Sequence, residues 1–255
     1  MRQIITLLLS CLTFIAQAQL TVTEVGTLPV RVTNNAIVEG FMDNVPYLYS
    51  FGGLDSTKTY QGIHLKSYRV NLNTGKTERI PDLPDTLGKV AAGASRIGNV
   101  IYIFGGYHVF ADRSELSSNK VHRYDIANNK YLSDGAGIPI AIDDHVQAVY
   151  QDSLIYLITG WNDSKNVPNV QIYNPSQDSW SVGSSTPDQD DYKSFGASGT
   201  IIDNTIYYFG GATSVRGYAI QNQLRVGFID SEEPSKVSWS IETPDYDING
   251  YRMAA

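Results

Sequence analysis

Cysteine is almost absent: Cys11 is the only one in 255 residues. It lies in a segment expected to be removed, so the mature chain holds no disulfide, no zinc–thiolate site and no cysteine nucleophile. Basic residues are sparse and scattered, 19 Lys and Arg against 26 Asp and Glu, for a formal net charge of −7. An acidic chain without a basic stripe is a poor partner for nucleic acid or an anionic membrane surface. Long apolar runs are missing as well. The longest covers residues 4–15, well short of the ~20 residues that span a bilayer as a helix.

That short run has its own meaning. Met1-Arg2-Gln3 gives a charged start, and Ala16-Gln17-Ala18 follows the apolar stretch as a small-x-small site. The pattern predicts a signal peptide over residues 1–18, cleaved before Gln19, and a secreted or periplasmic protein. A second reading takes Leu8-Leu9-Ser10-Cys11 as a lipoprotein box and Cys11 as a lipid anchor. Without covalent staples, the domain over residues 19–255 must be held by buried area, which a chain of this length can supply.

What the chain has is repetition. Tyr47-Leu48-Tyr49-Ser50-Phe51-Gly52-Gly53 returns as Ile101-Tyr102-Ile103-Phe104-Gly105-Gly106, as Ile155-Tyr156-Leu157-Ile158-Thr159-Gly160, and as Ile206-Tyr207-Tyr208-Phe209-Gly210-Gly211. The last glycines stand at 53, 106, 160 and 211, giving steps of 53, 54 and 51. Both faces of these stretches are apolar, which predicts strands sandwiched between neighbouring sheets. Small and β-branched residues precede each one across Asp43-Asn44, Gly98-Asn99, Asp152-Ser153 or Asp203-Asn204, which are tight-hairpin residues. A third strand is expected to end near Val70, Tyr124, Tyr173 and Phe228, and a fourth to run into Pro84, Pro139, Pro187 and Pro244.

Glycine pairs closing a repeat of about 50 residues, with Tyr173-Asn174-Pro175 leading to Trp180, resemble the kelch-repeat β-propeller family. The resemblance covers about residues 20–255. It implies an all-β propeller with four complete four-stranded blades. An N-terminal strand at about Leu20–Val25 is expected to close the ring, and residues 251–255 to begin a fifth blade. The chain is then expected to be part of a propeller of about six blades; a rival reading has a partner filling the gap.

Strands alternate in direction, so the link entering each inner strand and the loop after each glycine pair share one rim. That places Asn35, Lys89, His145, Lys193 and Arg252 in one ring, and Tyr107, Trp161 and Arg216 in a second. A cationic funnel flanked by aromatics suits an anionic or hydroxylated ligand such as an acidic sugar. Asp143-Asp144-His145 is not read as a metal site, because three adjacent residues rarely point at one ion. Galactose oxidase is also a kelch propeller, but its radical cofactor needs a cysteine cross-linked to tyrosine beside copper, and no such cysteine is present here.

The leading expectation is a secreted binding module for a carbohydrate or a protein, with no cofactor and no metal. The alternative is a cofactor-free sugar mutarotase or epimerase, similar to the sialic acid mutarotases. There Lys89, Lys193 or Arg252 would anchor a carboxylate, and His145 or Glu39 would shuttle the proton.

Overall fold

A computed structural model describes residues 23–215, 217–242, 250 and 251. Four antiparallel sheets of the same topology follow one another. The inner, second, third and outer strands of blade I are Ala36–Met42, Val45–Phe51, Ser67–Asn71 and Thr77–Ile80. Blade II uses Val90–Ile97, Val100–Val109, Val121–Asp125 and Lys130–Tyr131, and a short strand Glu115–Ser117 also pairs with its second strand. Blade III uses Val146–Tyr150, Leu154–Ile158, Val170–Asn174 and Ser179–Gly183; blade IV uses Phe195–Ile202, Thr205–Ala212, Leu224–Ile229 and Val237–Glu242. Each sheet runs inner to outer in chain order. None of the described helices is long and apolar enough to cross a membrane.

The turns explain the first hairpin of each blade. Asp43 and Asn44 have φ of 51° and 62°, and Gly98, Asp152 and Asp203 are likewise left-handed, as a two-residue turn between twisted strands requires. The second strands are buried on both faces, with Ile101, Tyr102, Ile103 and Phe104 all inaccessible or nearly so.

Three cores lie between the blades. Tyr49 and Phe51 of blade I meet Tyr124 of blade II with ring centroids 5.9 Å apart. Tyr102 and Phe104 of blade II meet Tyr173 of blade III at 5.7 Å. The third seam packs Tyr156 and Ile158 against Ile206 and Tyr208. A fully buried side chain of this size contributes roughly 1.5–3 kcal/mol, so the aromatic second strands form the spine of the fold. Trp180 packs tilted against Tyr173, with centroids 4.9 Å apart, and donates its indole N–H to the Ala136 carbonyl of the preceding blade. Trp239 does the same to Ser184.

Blade IV departs from the expected register by one residue. Gly227, not Phe228, stands opposite Ile206 and Trp239, where Tyr173 stands opposite Ile155 and Trp180. A Cβ on Gly227 would come within 2.5 Å of the Trp239 ring, so the indole occupies the space that tyrosine fills elsewhere. A one-residue shift reverses the face, and Phe228 is exposed.

At the N-terminus, Leu20, Thr21 and Val22 lie outside the described residues, and Thr23–Val25 carry no strand pairing. Residues 25–27 lie instead on the turn after the third strand of blade I. There the Thr27 carbonyl accepts from Thr77 Oγ1 at 2.7 Å, and Gly26 is pressed against Val70 and Gly75. At the other end, residues 250 and 251 form no strand, and 252–255 lie outside the described residues.

Candidate ligand-binding site

A backbone lattice builds the rim. The last glycine of each repeat donates its N–H across the link to the next blade: Gly53 to Lys89, Gly106 to Ile142, Gly160 to Ser194 and Gly211 to Gly250. Two residues further on, the blades are laced together. Ala91 N–H donates to the Asn34 carbonyl, Asp144 to Ala91 and Gly196 to Asp144. These four equivalent residues are all left-handed, with φ of 53°, 55°, 49° and 66° for Asn34, Ala91, Asp144 and Gly196. Links and post-glycine loops are thereby held on one rim.

Two cavities open there. The first, about 450 Å³, is a cleft where blades II, III and IV meet, lined chiefly by Tyr107, Trp161, Phe195, Tyr218, Ile220 and Tyr251. Asp143, Asp144 and Glu115 also face it. The rings form a connected wall: Trp161 to Phe195 at 5.3 Å, Trp161 to Tyr218 at 6.1 Å and Phe195 to Tyr251 at 5.8 Å. Tyr218, Ile220 and Tyr251 remain exposed, as do Leu116 and Phe110 on the blade II hairpin. The second cavity, about 540 Å³, runs along the inner strands and is lined by Asn35, Glu39, Ser95, His145, Gln147 and Ser198 among others. Asp144 borders both.

The structure divides the expected ring of residues. Tyr107 and Trp161 line the cleft. Asn35, Glu39 and His145 line the axial cavity, with Asn35 Nδ2 donating to Ser50 Oγ at 2.8 Å. Burial pushes the His145 imidazole down to about 4, offset only in part by Gln147 beside it. Neither ring nitrogen has a hydrogen-bond partner of good geometry among the described residues. At neutral pH this side chain is therefore an uncharged ring. Lys193 pairs with Asp188 at 2.6 Å, and that pairing holds the Asp188 carboxyl below its ordinary range. Arg216 and Arg252 lie outside the described residues.

Lys89 is not on the rim surface at all. It is buried at 1 % exposure, with Nζ 2.9 Å from Asp85 Oδ2, 3.1 Å from Ser118 Oγ and 3.2 Å from His122 Nε2. The register gives the reason, since Lys89 is the equivalent of Ile142 and Ser194, while His145 is the equivalent of Ala92. The side chain turns inward and completes an ionic staple. Asp143, Asp144 and His145 likewise diverge: Asp143 accepts from Ser117 at 2.6 Å, and His145 faces the axial cavity. Phe195, Tyr218 and Ile220 carry no signal in the sequence that marks them as site residues. Phe195 reads as an inner strand, and the other two sit in a loop whose folding back toward Trp161 has no local cause.

Comparison with known proteins agrees with this architecture. The kelch motif family model matches residues 89–132 and 145–187, which are blades II and III. The chain thus carries two matched kelch motifs on a propeller fold. Kelch-like protein 36 of Bos taurus is 24% identical over 115 residues, covering 45% of this chain and 18% of that protein. Kelch-like protein 26 of Mus musculus is 26% identical over 138 residues, covering 54% and 22% respectively. The matches thus span about a fifth of these curated relatives. Among solved structures, YjhT superposes with a TM-score of 0.68 at 15% identity, covering 87% of this chain and 68% of that one. At that identity the likeness concerns the kelch fold, and the site rests on its own geometry.

Proposed function

We propose that this kelch chain is a secreted binding module that holds a protein ligand in the rim cleft between blades II, III and IV. One observation carries the reading: the cleft is walled by a connected set of four aromatic rings, and among its lining Tyr218, Ile220 and Tyr251 are exposed. Contiguous apolar surface of this kind, rimmed by polar groups, is a mark of protein recognition. Aromatic side chains at the centre of a concave surface are the usual source of binding energy. Here Trp161 and Phe195 would receive an apolar or aromatic anchor from the partner, and Glu115, Asp143 and Asp144 would face its polar flanks. The expected cationic funnel for an acidic sugar loses Lys89 to the buried staple, Lys193 to Asp188 and His145 to neutrality.

A second reading keeps the carbohydrate. Glu39 and His145 share the axial cavity, which is the pairing that acid–base mutarotation would need. Three assays separate the readings. Selection of a displayed peptide library on the protein, repeated with Trp161→Ala, should enrich sequences that the variant fails to retain. Enrichment on a glycan array instead, with no peptide, would move the assignment to carbohydrate. NMR exchange between sialic acid anomers, faster than buffer and lost in Glu39→Gln, would establish the mutarotase. Binding unaffected by Trp161→Ala would remove the cleft from the function.

A further inference from the structure

On the side of the cleft away from blade IV, three separate segments supply wall residues: the blade II hairpin with Tyr107 and Glu115, the link into blade III with Asp143, and the blade III hairpin with Trp161. One buried residue joins all three. Ser117 Oγ donates to Asp143 Oδ2 at 2.6 Å and accepts the Asp163 N–H at 2.9 Å. In return, Ser117 N–H donates to Asp163 Oδ1 at 2.9 Å. Asp163 forms the turn of the blade III hairpin in a left-handed conformation, φ 43°. Asp143 holds the base of that hairpin through a reciprocal pair of backbone bonds with Trp161, each 2.9 Å. Asn162 adds a side-chain bond to the Ala141 carbonyl.

We infer that Ser117, with Asp143 and Asp163, is the positioning device that preforms the cleft, fixing Trp161 against the blade II hairpin before any ligand arrives. The inference rests on the reading of the cleft as a recognition site. Its physical basis is that Ser117 and Asp143 are nearly inaccessible, where a satisfied polar network specifies one arrangement and a broken one permits several. A hairpin of two-residue strands, Trp161–Asn162 with Lys165–Asn166, has too few ladder bonds to hold itself in place. A recognition surface whose supporting contacts are left loose loses affinity without losing the fold.

The test uses the whole chain and indole as a small aromatic probe of the cleft. Affinity is read by ligand-observed NMR, and local opening by amide hydrogen exchange over residues 107–117 and 161–166. Trp161→Ala should abolish indole binding; retained affinity would overturn the site reading itself. With that control satisfied, Ser117→Ala should weaken indole about tenfold or more and raise exchange in both hairpins together. Exchange in the inner strands should stay unchanged, which a general loss of stability would not produce. Asp163→Ala should match it, whereas Asp163→Asn, which keeps the acceptor for Ser117 N–H, should stay within about twofold of wild type. Wild-type affinity and exchange in Ser117→Ala would overturn the inference, as would equal losses in Asp163→Ala and Asp163→Asn. If Ser117→Ala does not fold, the two Asp163 variants decide alone.

Discussion

Blades II and III solve the same problem with opposite chemistry. In each, the second residue of the third strand points at the link that brings the chain into that blade, and staples it down. In blade II the residue is His122, whose Nε2 lies 3.2 Å from Asp85 and Nδ1 2.8 Å from Asp134, with Lys89 and Lys120 also on Asp85. In blade III it is Gln171, whose amide accepts from the Ile140 N–H at 2.8 Å and donates to the Ile140 carbonyl at 3.0 Å. Blade IV places Arg225 there, bonded to the Asp191, Gly210 and Gln223 carbonyls and to the Gln221 side chain. The position demands that buried polar groups of the link, side chain in blade II and backbone in blades III and IV, be satisfied; it does not demand a charge. A charged staple carries the added burden of desolvation, so it must be kept whole.

That burden gives the largest expected effect. Lys89→Met removes the buried cation from Asp85, itself 2 % exposed, and leaves a carboxylate short of a partner. The loss should be about 3–5 kcal/mol, read as a shift in urea unfolding midpoint. Adding Asp85→Leu should recover much of it, because an uncharged pair no longer resists burial. If the double variant is as unstable as the single, the charge is not the reason blade II differs from blade III.

The two seams should also fail at different pH. Burial alone would raise the Asp85 carboxyl, but hydrogen bonds from His122 and Lys89 outweigh it and hold the group well below its ordinary range. Its contribution is present above the unfolded carboxylate range near ~4 and fades as pH falls below that. The axial edge of blade III depends instead on the neutral ring of His145, whose folded value of about 4 lies below 6.5. A depressed base binds its proton in the unfolded state first. Its contribution is therefore complete above pH 6.5 and is lost as pH falls toward 4, by up to about 3 kcal/mol. Unfolding curves at pH 7 and 5 should show a larger loss in wild type than in His145→Gln, where His64, also lowered by burial, still contributes. Equal losses in both would place the sensitive group elsewhere.

A smaller effect tests the neutral staple. Gln171→Leu fills the same space but abandons the N–H and carbonyl of Ile140, at a cost of about 1–3 kcal/mol. Gln171→Glu keeps the acceptor for the N–H and loses the donor to the carbonyl. It should fall at least as far, since an ionised side chain would enter a site that excludes water. If both variants keep wild-type stability, link satisfaction is not what the third-strand position supplies.

These staples mark the limit of what sequence shows. Glycine pairs at a fixed interval identify blades because each pair performs one backbone task, reaching across the link while holding positive φ. Hairpin turns are legible for the same local reason. His122 reaching Asp85, 37 residues earlier, has no local cause, and so Lys89 reads as a rim charge when it is a buried partner. The cleft follows the same division. Tyr107 and Trp161 stand directly after repeat glycines and are found by counting. Phe195, Tyr218 and Ile220 reach it through packing between blades and from the loop after Gly211, which no periodicity describes. Trp239 shows a third kind of limit: the glycine that makes room for its ring is one residue from where the repeat places the aromatic.

The smallest expected effect concerns what the seams share. The lacing bonds that run from Asn34 through Ala91 and Asp144 to Gly196 use a left-handed residue in every blade. Asparagine, aspartate and glycine tolerate that conformation, whereas alanine bears a Cβ penalty with no side-chain hydrogen bond to offset it. Ala91 at φ 55° is thus the strained member. Ala91→Gly removes the Cβ clash and adds backbone freedom to the unfolded chain, two effects of opposite sign and each near 1 kcal/mol. A gain of a few tenths to about 1 kcal/mol is expected if relief of native strain outweighs the added freedom. Gly196→Ala places the same Cβ in the same conformation and should lose about as much. Opposite signs in paired urea titrations would show that the lacing is one repeated device, with blade II tolerating at Ala91 a strain that blade IV avoids. The same sign in both would mean that local packing sets the effect at each blade separately.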